Sequence, residues 1–155
     1  MAIKERLERL GILLPSVPPP VAAYVPGVKT GDLIFTSGQL PLEGGELKYK
    51  GQVGSDLTLE EGYAAARLCA LNCLAVVQSL AGDLEAVERV VKVTGYVNSA
   101  PGFAQQPQVI NGASELLAEL FGEAGRHARA AVGVSALPLG AAVELEIVVK
   151  LKTMC

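Results

Sequence analysis

Three charged side chains interrupt two apolar, strand-like segments near the C-terminal end of the chain. Arg129 lies in the first segment, and Glu144 and Glu146 lie in the second. With the period of two of a β-strand, Arg129 shares one face with small residues, which are Ala131, Gly133 and Ser135. A guanidinium carries a planar fork of donors that can grip a carboxylate with two hydrogen bonds, and small neighbours leave space above it. The pattern therefore predicts a receptor for a small organic acid.

The two glutamates leave two interpretations open. Glu144 could orient or deprotonate a water molecule, provided that its surroundings move its pKa toward neutrality. Alternatively, Arg129 could form an ion pair with Glu144 or Glu146 that only ties adjacent strands together, since a desolvated guanidinium without a partner costs several kcal/mol. Both arrangements can hold at once. For Glu146 itself, we expect a charge that faces solvent or a subunit interface.

Groups for other kinds of catalysis are scarce. The single histidine, His127, lacks partners at the spacing of a zinc site or a Ser-His-Asp triad, so we expect an ordinary loop or helix-end residue. The three cysteines, Cys69, Cys73 and Cys155, are interpreted as small apolar residues in a reducing compartment. We therefore expect no metal and no cofactor.

The composition bounds the class of protein. At 155 residues the chain fits one domain, which by size should bury roughly 68–70% of its unfolded surface. Because 50% of the residues are apolar and 19% are charged, we expect part of the apolar surface to lie in an oligomer interface. The net charge of -3 and the lack of a basic cluster with aromatic residues argue against nucleic acid as the main partner. No apolar run approaches the roughly 20 residues that cross a bilayer, so we expect a cytoplasmic protein without membrane contact.

The first 20 residues differ from the rest. Alternating apolar and charged residues predict a short amphipathic helix over residues 1–14, and the prolines of residues 15–20 predict a stiff linker. We therefore divide the chain into an N-terminal helix with a proline-rich linker, residues 1–20, and one domain, residues 21–155.

Periodicity predicts the elements of that domain. Strands are expected at residues 21–28, 33–40 and 87–97 and in the two C-terminal segments, with a glycine-rich loop at 42–54. A capping box at Thr58 and Glu61 begins a long helix that ends at Gly82, and an apolar stripe ending at Gly122 indicates a second helix.

The order of these elements indicates an α+β domain, with a mixed β-sheet and two helices packed on one face. The other face must meet solvent or a partner. If Val132 and Val134 pack on the helices, Arg129 lies on the uncovered face, where subunits could meet.

Several motifs together resemble a known family. They are Ala23-Tyr24, the run from Val28 to Pro41 with its Ser37-Gly38-Gln39-Leu40-Pro41 end, Ala128-Arg129, Leu137-Pro138, and Val143-Glu144-Leu145-Glu146. This set resembles the RidA/YjgF family, also known as L-PSP endoribonuclease-like proteins. The resemblance covers about residues 21–151 and leaves out the N-terminal helix and linker, as in a longer branch of the family.

The resemblance implies a chorismate-mutase-like fold, a homotrimer, and active sites in clefts between subunits. Members hydrolyse reactive enamines and imines of amino acids to 2-keto acids and ammonia. By the same resemblance Arg129 binds the substrate carboxylate and Glu144 holds the attacking water, while Tyr24, Ser37 and Asn111 line the pocket.

Two further positions follow from the resemblance. Gly38 falls in the binding region, although a need of the backbone explains a glycine equally well. Ala131 replaces a cysteine found in many members, which is harmless if that position contributes its backbone carbonyl. Simpler roles are open for the pocket residues too: strand packing for Tyr24, a turn hydroxyl for Ser37, and a helix cap for Asn111.

Three functions therefore stay open from the sequence. The favoured one is an enamine or imine deaminase, and the second is a non-catalytic trimer that binds a small carboxylate, which would need Arg129 but not Glu144. The third is the endoribonuclease or translation-inhibitor activity in the older family name, which the acidic balance and the absence of a histidine pair oppose.

Overall fold

The computed structural model describes residues 2–17 and 23–153. In chain order the elements are α1 (Ile3–Arg9), β1 (Gly27–Thr30), β2 (Leu33–Thr36), β3 (Leu42–Glu43), β4 (Glu46–Leu47), α2 (Leu59–Ala81), β5 (Val87–Asn98), α3 (Gln106–Phe121), β6 (Ala128–Val134) and β7 (Val143–Leu151). The expected α+β class is confirmed.

Five strands form one mixed sheet in the order β1-β2-β7-β5-β6, and β3 pairs with β4 in a separate hairpin. Only the β5–β6 pair of the large sheet is parallel, and β6 lies at its edge. Along β7 every second residue is buried, from Val143 to Leu151, and the residues between them are half-buried. One face of the sheet is therefore covered by α2 and α3, as predicted, and the other face is open.

Helix α2 forms the centre of the covered side. It begins at the predicted capping box, where the Thr58 hydroxyl accepts from the Glu61 amide, and it ends at Gly82. By length and composition it could cross a membrane, but 56% of its apolar window is buried in the protein, as expected of a core helix. Helix α3 packs closely on it, because a Cβ on Gly112 would lie 2.0 Å from the Tyr63 carbonyl oxygen.

The turn after α3 returns the chain along that helix. Gly122 has a φ of 62°, which favours glycine, and a short 3-10 turn runs from Gly122 to Gly125. Gly125 packs directly on α3, since a Cβ there would lie 2.2 Å from the Leu117 carbonyl oxygen. Strand β6 therefore starts beside α3, with His127 and Arg129 facing it.

Helix α1 packs on the main domain. Ile3 belongs to the hydrophobic core, and its amide donates to the Glu85 carboxylate. The Arg6 guanidinium donates to the Leu120 carbonyl oxygen at 2.6 Å, near the C-terminal end of α3. The division between residues 1–20 and 21–155 stays a prediction, because residues 18–22 lie outside the described part of the chain.

Several predicted boundaries need correction. Helix α1 covers seven residues rather than the predicted fourteen, and the strand predicted at 21–28 begins at Gly27, with residues 21 and 22 outside the described part. The predicted loop at 42–54 contains the β3–β4 hairpin, whose strands have two residues each and carry too little alternation to be recognised.

The expected placement of Arg129 on the uncovered face is wrong. In the β5–β6 register Arg129 is opposite Val93, which is fully buried under the helices, whereas Val132 is opposite Tyr96 and is 44% exposed. Strand β6 thus turns its valines outward and its arginine toward α3. The residues of β6 alternate between two faces as predicted, but their apolarity does not indicate the covered face, because β6 is an edge strand.

Candidate functional site

Three hydrogen bonds to α3 hold the Arg129 guanidinium. Its Nη1 group donates to Asn111 Oδ1 at 2.8 Å and to Ser114 Oγ at 3.1 Å, and its Nη2 group donates to the Pro107 carbonyl oxygen at 3.3 Å. All three acceptors belong to one helix, at spacings of four and three residues that place them on one face. Asn111 lies inside α3 and contacts the arginine, so it is not a helix cap.

The guanidinium charge has no acidic partner among residues 2–17 and 23–153. No ion pair there includes Arg129, and β5 separates its strand from that of Glu144 and Glu146. The structural alternative, an ion pair between adjacent strands, is therefore not formed. A guanidinium has five N–H donors, and the three bonds to α3 leave two of them for a ligand. A half-buried positive charge with two spare donors is suited to bind an anion.

The sequence interpretation missed two residues beside Arg129. Ser114 Oγ lies 2.9 Å from His127 Nε2, and His127 Nδ1 lies 2.6 Å from the Gly125 carbonyl oxygen. The three side chains border a shallow basin of about 350 Å³ between α3 and β6. The sequence signal for His127 is its position two residues before Arg129, which places both side chains on one strand face. The contact between His127 and Ser114 depends on the fold. We call Asn111, Ser114, His127 and Arg129 the arginine half-site.

Glu144 lies in a second group of predicted residues, on the open face. Its carboxylate packs against Gly38, where a Cβ would lie 2.1 Å from Glu144 Oε2. Ser37 precedes that glycine, and its hydroxyl donates to the Val25 carbonyl oxygen at 2.6 Å, which holds the segment next to the exposed Tyr24. We call Tyr24, Ser37, Gly38 and Glu144 the glutamate half-site.

The surroundings of Glu144 favour a proton on its carboxyl group. Burial raises its pKa above the ordinary value, and the negative charge of Glu146 raises it further. Glu146 is itself fixed, because the Tyr96 hydroxyl donates to its Oε1 at 3.0 Å. Glu146 is therefore a half-buried, hydrogen-bonded charge on the same face. A carboxyl group whose pKa lies above its ordinary value binds a proton more tightly, so its ionised form is a stronger base toward water.

The two half-sites lie on opposite faces of the sheet. Alternate residues of a strand point to opposite sides, and the register places Arg129 with buried Val93 but Glu144 with Tyr96 on the open face. Ala131 lies on the arginine side and packs against the core. Within one chain, the structure thus places Asn111 beside Arg129 and Gly38 beside Glu144, and it separates these two pairs.

Among the described residues, no group of three histidine, cysteine, aspartate or glutamate side chains is placed to hold a metal ion. Cys69 and Cys73 are buried in α2, where their thiols lie 3.6 and 3.4 Å from carbonyl oxygens of β7.

These features define an α+β protein with two helices on one face of a mixed sheet, an arginine on that face and a glutamate on the other. The model of the family described as "YjgF/chorismate_mutase-like, putative endoribonuclease" matches residues 4–151. The chain belongs to this YjgF family, as its motifs indicated. The match includes most of α1, so it extends further toward the N-terminus than the motifs alone suggested.

Individual relatives agree with this assignment. Protein TCP17 of Trypanosoma cruzi is 49% identical over 150 residues, covering 96% of this chain and 94% of that protein. The crystal structure of an Agrobacterium tumefaciens protein of unknown function has a TM-score of 0.90 at 47% identity, covering 97% of this chain and 92% of that chain. The structure of E. coli TdcF with bound serine has a TM-score of 0.65 at 25% identity, covering 88% of this chain and 94% of that chain.

Proposed function

We propose that the protein hydrolyses reactive 2-imino and enamine acids to 2-keto acids and ammonia, at a site formed between the subunits of a homotrimer. One observation carries this proposal: the half-buried Arg129 guanidinium has two spare donors and no acidic partner among the described residues. A small carboxylate would satisfy both the charge and the donors.

The chemistry needs little beyond placement. An imine of a 2-amino acid is already electrophilic, so fixing its carboxylate and a water molecule supplies much of the rate. In the proposed step the water oxygen bonds to the imine carbon, while Glu144 accepts a proton from that water. Glu144 then passes this proton to the nitrogen. The new hydroxyl group gives its own proton to the nitrogen as the C–N bond breaks, so the carbonyl forms and ammonia leaves. This reaction requires no cofactor.

The opposite faces of the two half-sites support a shared site. A 2-imino acid of a few carbon atoms cannot reach from Arg129, beside α3, to Glu144, on the other side of the sheet. If the arginine half-site of one copy meets the glutamate half-site of the next, two different patches of the chain are in contact. Such head-to-tail contacts form a closed ring when the rotation from one copy to the next closes, as three-fold symmetry does.

Exposed apolar residues support the same interface. Val28 and Phe35 are opposite each other on the open face, and Phe35 is 43% exposed. Together with Val132 they give that face apolar surface that a neighbouring subunit could cover. The bound serine in TdcF, itself an amino acid with a carboxylate, agrees with a small-molecule carboxylate as ligand. We place this activity in the cytoplasm, since free Cys69 and Cys73 suit a reducing compartment.

The test measures ammonia release from 2-iminobutyrate generated in situ by a dehydratase. We expect the protein to accelerate the release and Arg129→Ala to abolish the acceleration, whereas Arg9→Ala, a matched change on the exposed side of α1, leaves it intact. Light scattering should give three times the 16.1 kDa chain mass. Identical progress curves with and without the protein, across several imines, would contradict the activity, and a monomer would contradict the shared site.

The same samples distinguish the non-catalytic alternative. If Glu144→Gln loses turnover but still binds 2-oxobutyrate, Glu144 acts in the chemistry. If the wild type binds 2-oxobutyrate and turns nothing over, the non-catalytic, carboxylate-binding alternative is favoured.

The family description favours one further candidate, RNA cleavage. The formal net charge of -3 opposes it, because nucleic-acid affinity depends on neutralising phosphates. RNA binding that weakens steeply with salt, together with cleavage, would support it over the deaminase.

A further inference from the structure

A chain of hydrogen bonds leads from a backbone carbonyl to Arg129. The Gly125 carbonyl oxygen lies 2.6 Å from His127 Nδ1, and a carbonyl oxygen can only accept, so Nδ1 carries a proton. In the neutral ring Nε2 is then an acceptor, and the Ser114 hydroxyl donates to it at 2.9 Å. The direction of this bond turns the lone pairs of Ser114 Oγ toward Arg129 Nη1, 3.1 Å away.

The fold fixes two members of this chain, the Gly125 carbonyl and Ser114. Gly125 packs against the Leu117 carbonyl oxygen of α3, which no residue with a Cβ could do without a shift. Ser114 lies within α3, which in turn packs on α2. Burial lowers the pKa of His127, and the nearby Arg129 charge lowers it further, against an opposing effect of the Gly125 hydrogen bond. The neutral ring that the hydrogen bonds require is thus also the form that its surroundings favour.

The bonds determine how freely the guanidinium can turn. Nη1 has two hydrogens, and Asn111 and Ser114 take one each. Without Ser114, the guanidinium would keep the Asn111 bond and the longer bond to the Pro107 carbonyl oxygen, at 3.3 Å, so its orientation would be less firmly fixed. A carboxylate that accepts two hydrogen bonds from the guanidinium requires one orientation of that group. If the guanidinium is less fixed, binding must also restrict its orientation, which lowers the affinity.

We propose that Ser114 and His127 are positioning residues, which hold the Arg129 guanidinium so that its two remaining donors keep one orientation toward a substrate carboxylate. The inference rests on the proposed function, since it gives these two residues a task in substrate binding. Ser114 acts on the arginine directly, and His127 acts through Ser114 by fixing the direction of its hydroxyl.

The central test separates binding from chemistry in the deaminase assay. Because hydrogen bonds to charged groups are stronger than neutral ones, Ser114→Ala should raise KM roughly tenfold and change kcat much less. Ser114→Thr retains a hydroxyl and should restore the wild-type KM. Ser79→Ala is the matched control: that helical serine donates to the Val76 carbonyl oxygen at 2.7 Å, and its loss should leave KM unchanged.

The role of His127 is tested by measuring whether its effect on KM requires Ser114. His127→Ala should raise KM by a smaller factor than Ser114→Ala, and His127→Gln should recover part of it, since an amide oxygen can accept from Ser114. The variant with both Ser114→Ala and His127→Ala should be no worse than Ser114→Ala alone, because the histidine acts only through the hydroxyl. Urea unfolding of each variant verifies that the fold is retained.

The outcomes separate the inference from the function on which it rests. An active wild type whose KM is the same in Ser114→Ala would overturn the inference and keep the proposed function. If the two changes raise KM by factors that multiply in the variant carrying both, His127 does not act through Ser114, and this part of the inference is overturned. If the wild type shows no turnover, the proposed function is wrong. The inference is then tested by calorimetric titration with 2-oxobutyrate. It stands only if Ser114→Ala binds this keto acid roughly tenfold more weakly than the wild type does.

Discussion

The contact between Gly38 and Glu144 allows the carboxylate that we propose to act in catalysis to be displaced without being removed. The backbone of Gly38 lies outside the left-handed region, so alanine is permitted there. Its Cβ would lie 2.1 Å from Glu144 Oε2 and 2.9 Å from Cδ, whereas ordinary contacts begin near 3.4 Å. The carboxylate must therefore move by about 1 Å, which a flexible side chain on the open face can do while the fold stays intact.

The expected cost falls on activity rather than on stability. A displacement of about 1 Å in a reacting group can lower the rate roughly 100-fold, which corresponds to about 2.7 kcal/mol of transition-state stabilisation. Replacing glycine by alanine also restricts the unfolded chain, which favours folding by about 0.4–1 kcal/mol. We therefore expect Gly38→Ala to reduce kcat/KM by about two orders of magnitude, with an unfolding free energy within about 1 kcal/mol of the wild type.

The assay follows ammonia release in four proteins: wild type, Gly38→Ala, Glu144→Gln, and the variant with both changes. If the methyl group acts through the carboxylate, the doubly changed protein should be no slower than Glu144→Gln alone. Gly95→Ala is the contrasting control, because its Cβ would meet the buried Ile110 side chain at 2.4 Å and should destabilise the core. The reasoning would be refuted if Gly38→Ala kept the wild-type kcat/KM. It would also be refuted if Gly38→Ala lowered kcat/KM by the same factor in the wild type and in Glu144→Gln.

Three further predictions concern stability. Because the pKa of His127 is lowered on folding, wild-type stability should fall as the pH drops through 6.5, its ordinary value, and urea titrations of His127→Gln should lack this loss. Because the pKa of Glu144 is raised, folding disfavours its ionised form; Glu144→Gln should gain unfolding free energy relative to the wild type as the pH rises above 4.5, and the gain should vanish below it. Arg6→Ala removes the hydrogen bond to the Leu120 carbonyl oxygen and should cost about 1–2 kcal/mol, while the exposed Arg9→Ala costs less; equal urea midpoints for the two variants would contradict this role of α1.

Local patterns predicted most elements of the fold. The capping box at Thr58 and Glu61 places the start of α2, and the alternation from Val143 onward places β7, because both signals depend on residues a few positions apart. The β3–β4 hairpin was missed for the same reason, since its strands are too short to show a period. The edge position of β6 was not available from its own residues, and it reversed the expected side of Arg129.

The candidate site, like the fold, could be predicted from the sequence only in part. The motif resemblance named Arg129 and Glu144, but their neighbours are distant in the chain: Gly38 contacts Glu144 across more than 100 positions, and Ser114 meets His127 through the packing of α3 on β6. A sequence with one histidine gave no reason to pair it with that serine. Contacts of this kind follow from tertiary packing, which periodicity does not encode.

In the proposed trimer, the separation of the half-sites would link the proposed catalysis to assembly in a specific way. Burial already raises the pKa of Glu144 while its face of the sheet is open. A subunit that covered that face would remove more water from the carboxyl group and raise the pKa further, although the arriving Arg129 charge would oppose this rise. Substrate carboxylate bound to Arg129 would neutralise that charge, so Glu144 would be most ready to hold a proton when the site is both assembled and occupied. In that arrangement neither an isolated chain nor an empty site would activate water efficiently, which is a physical reason for dividing the two groups between subunits.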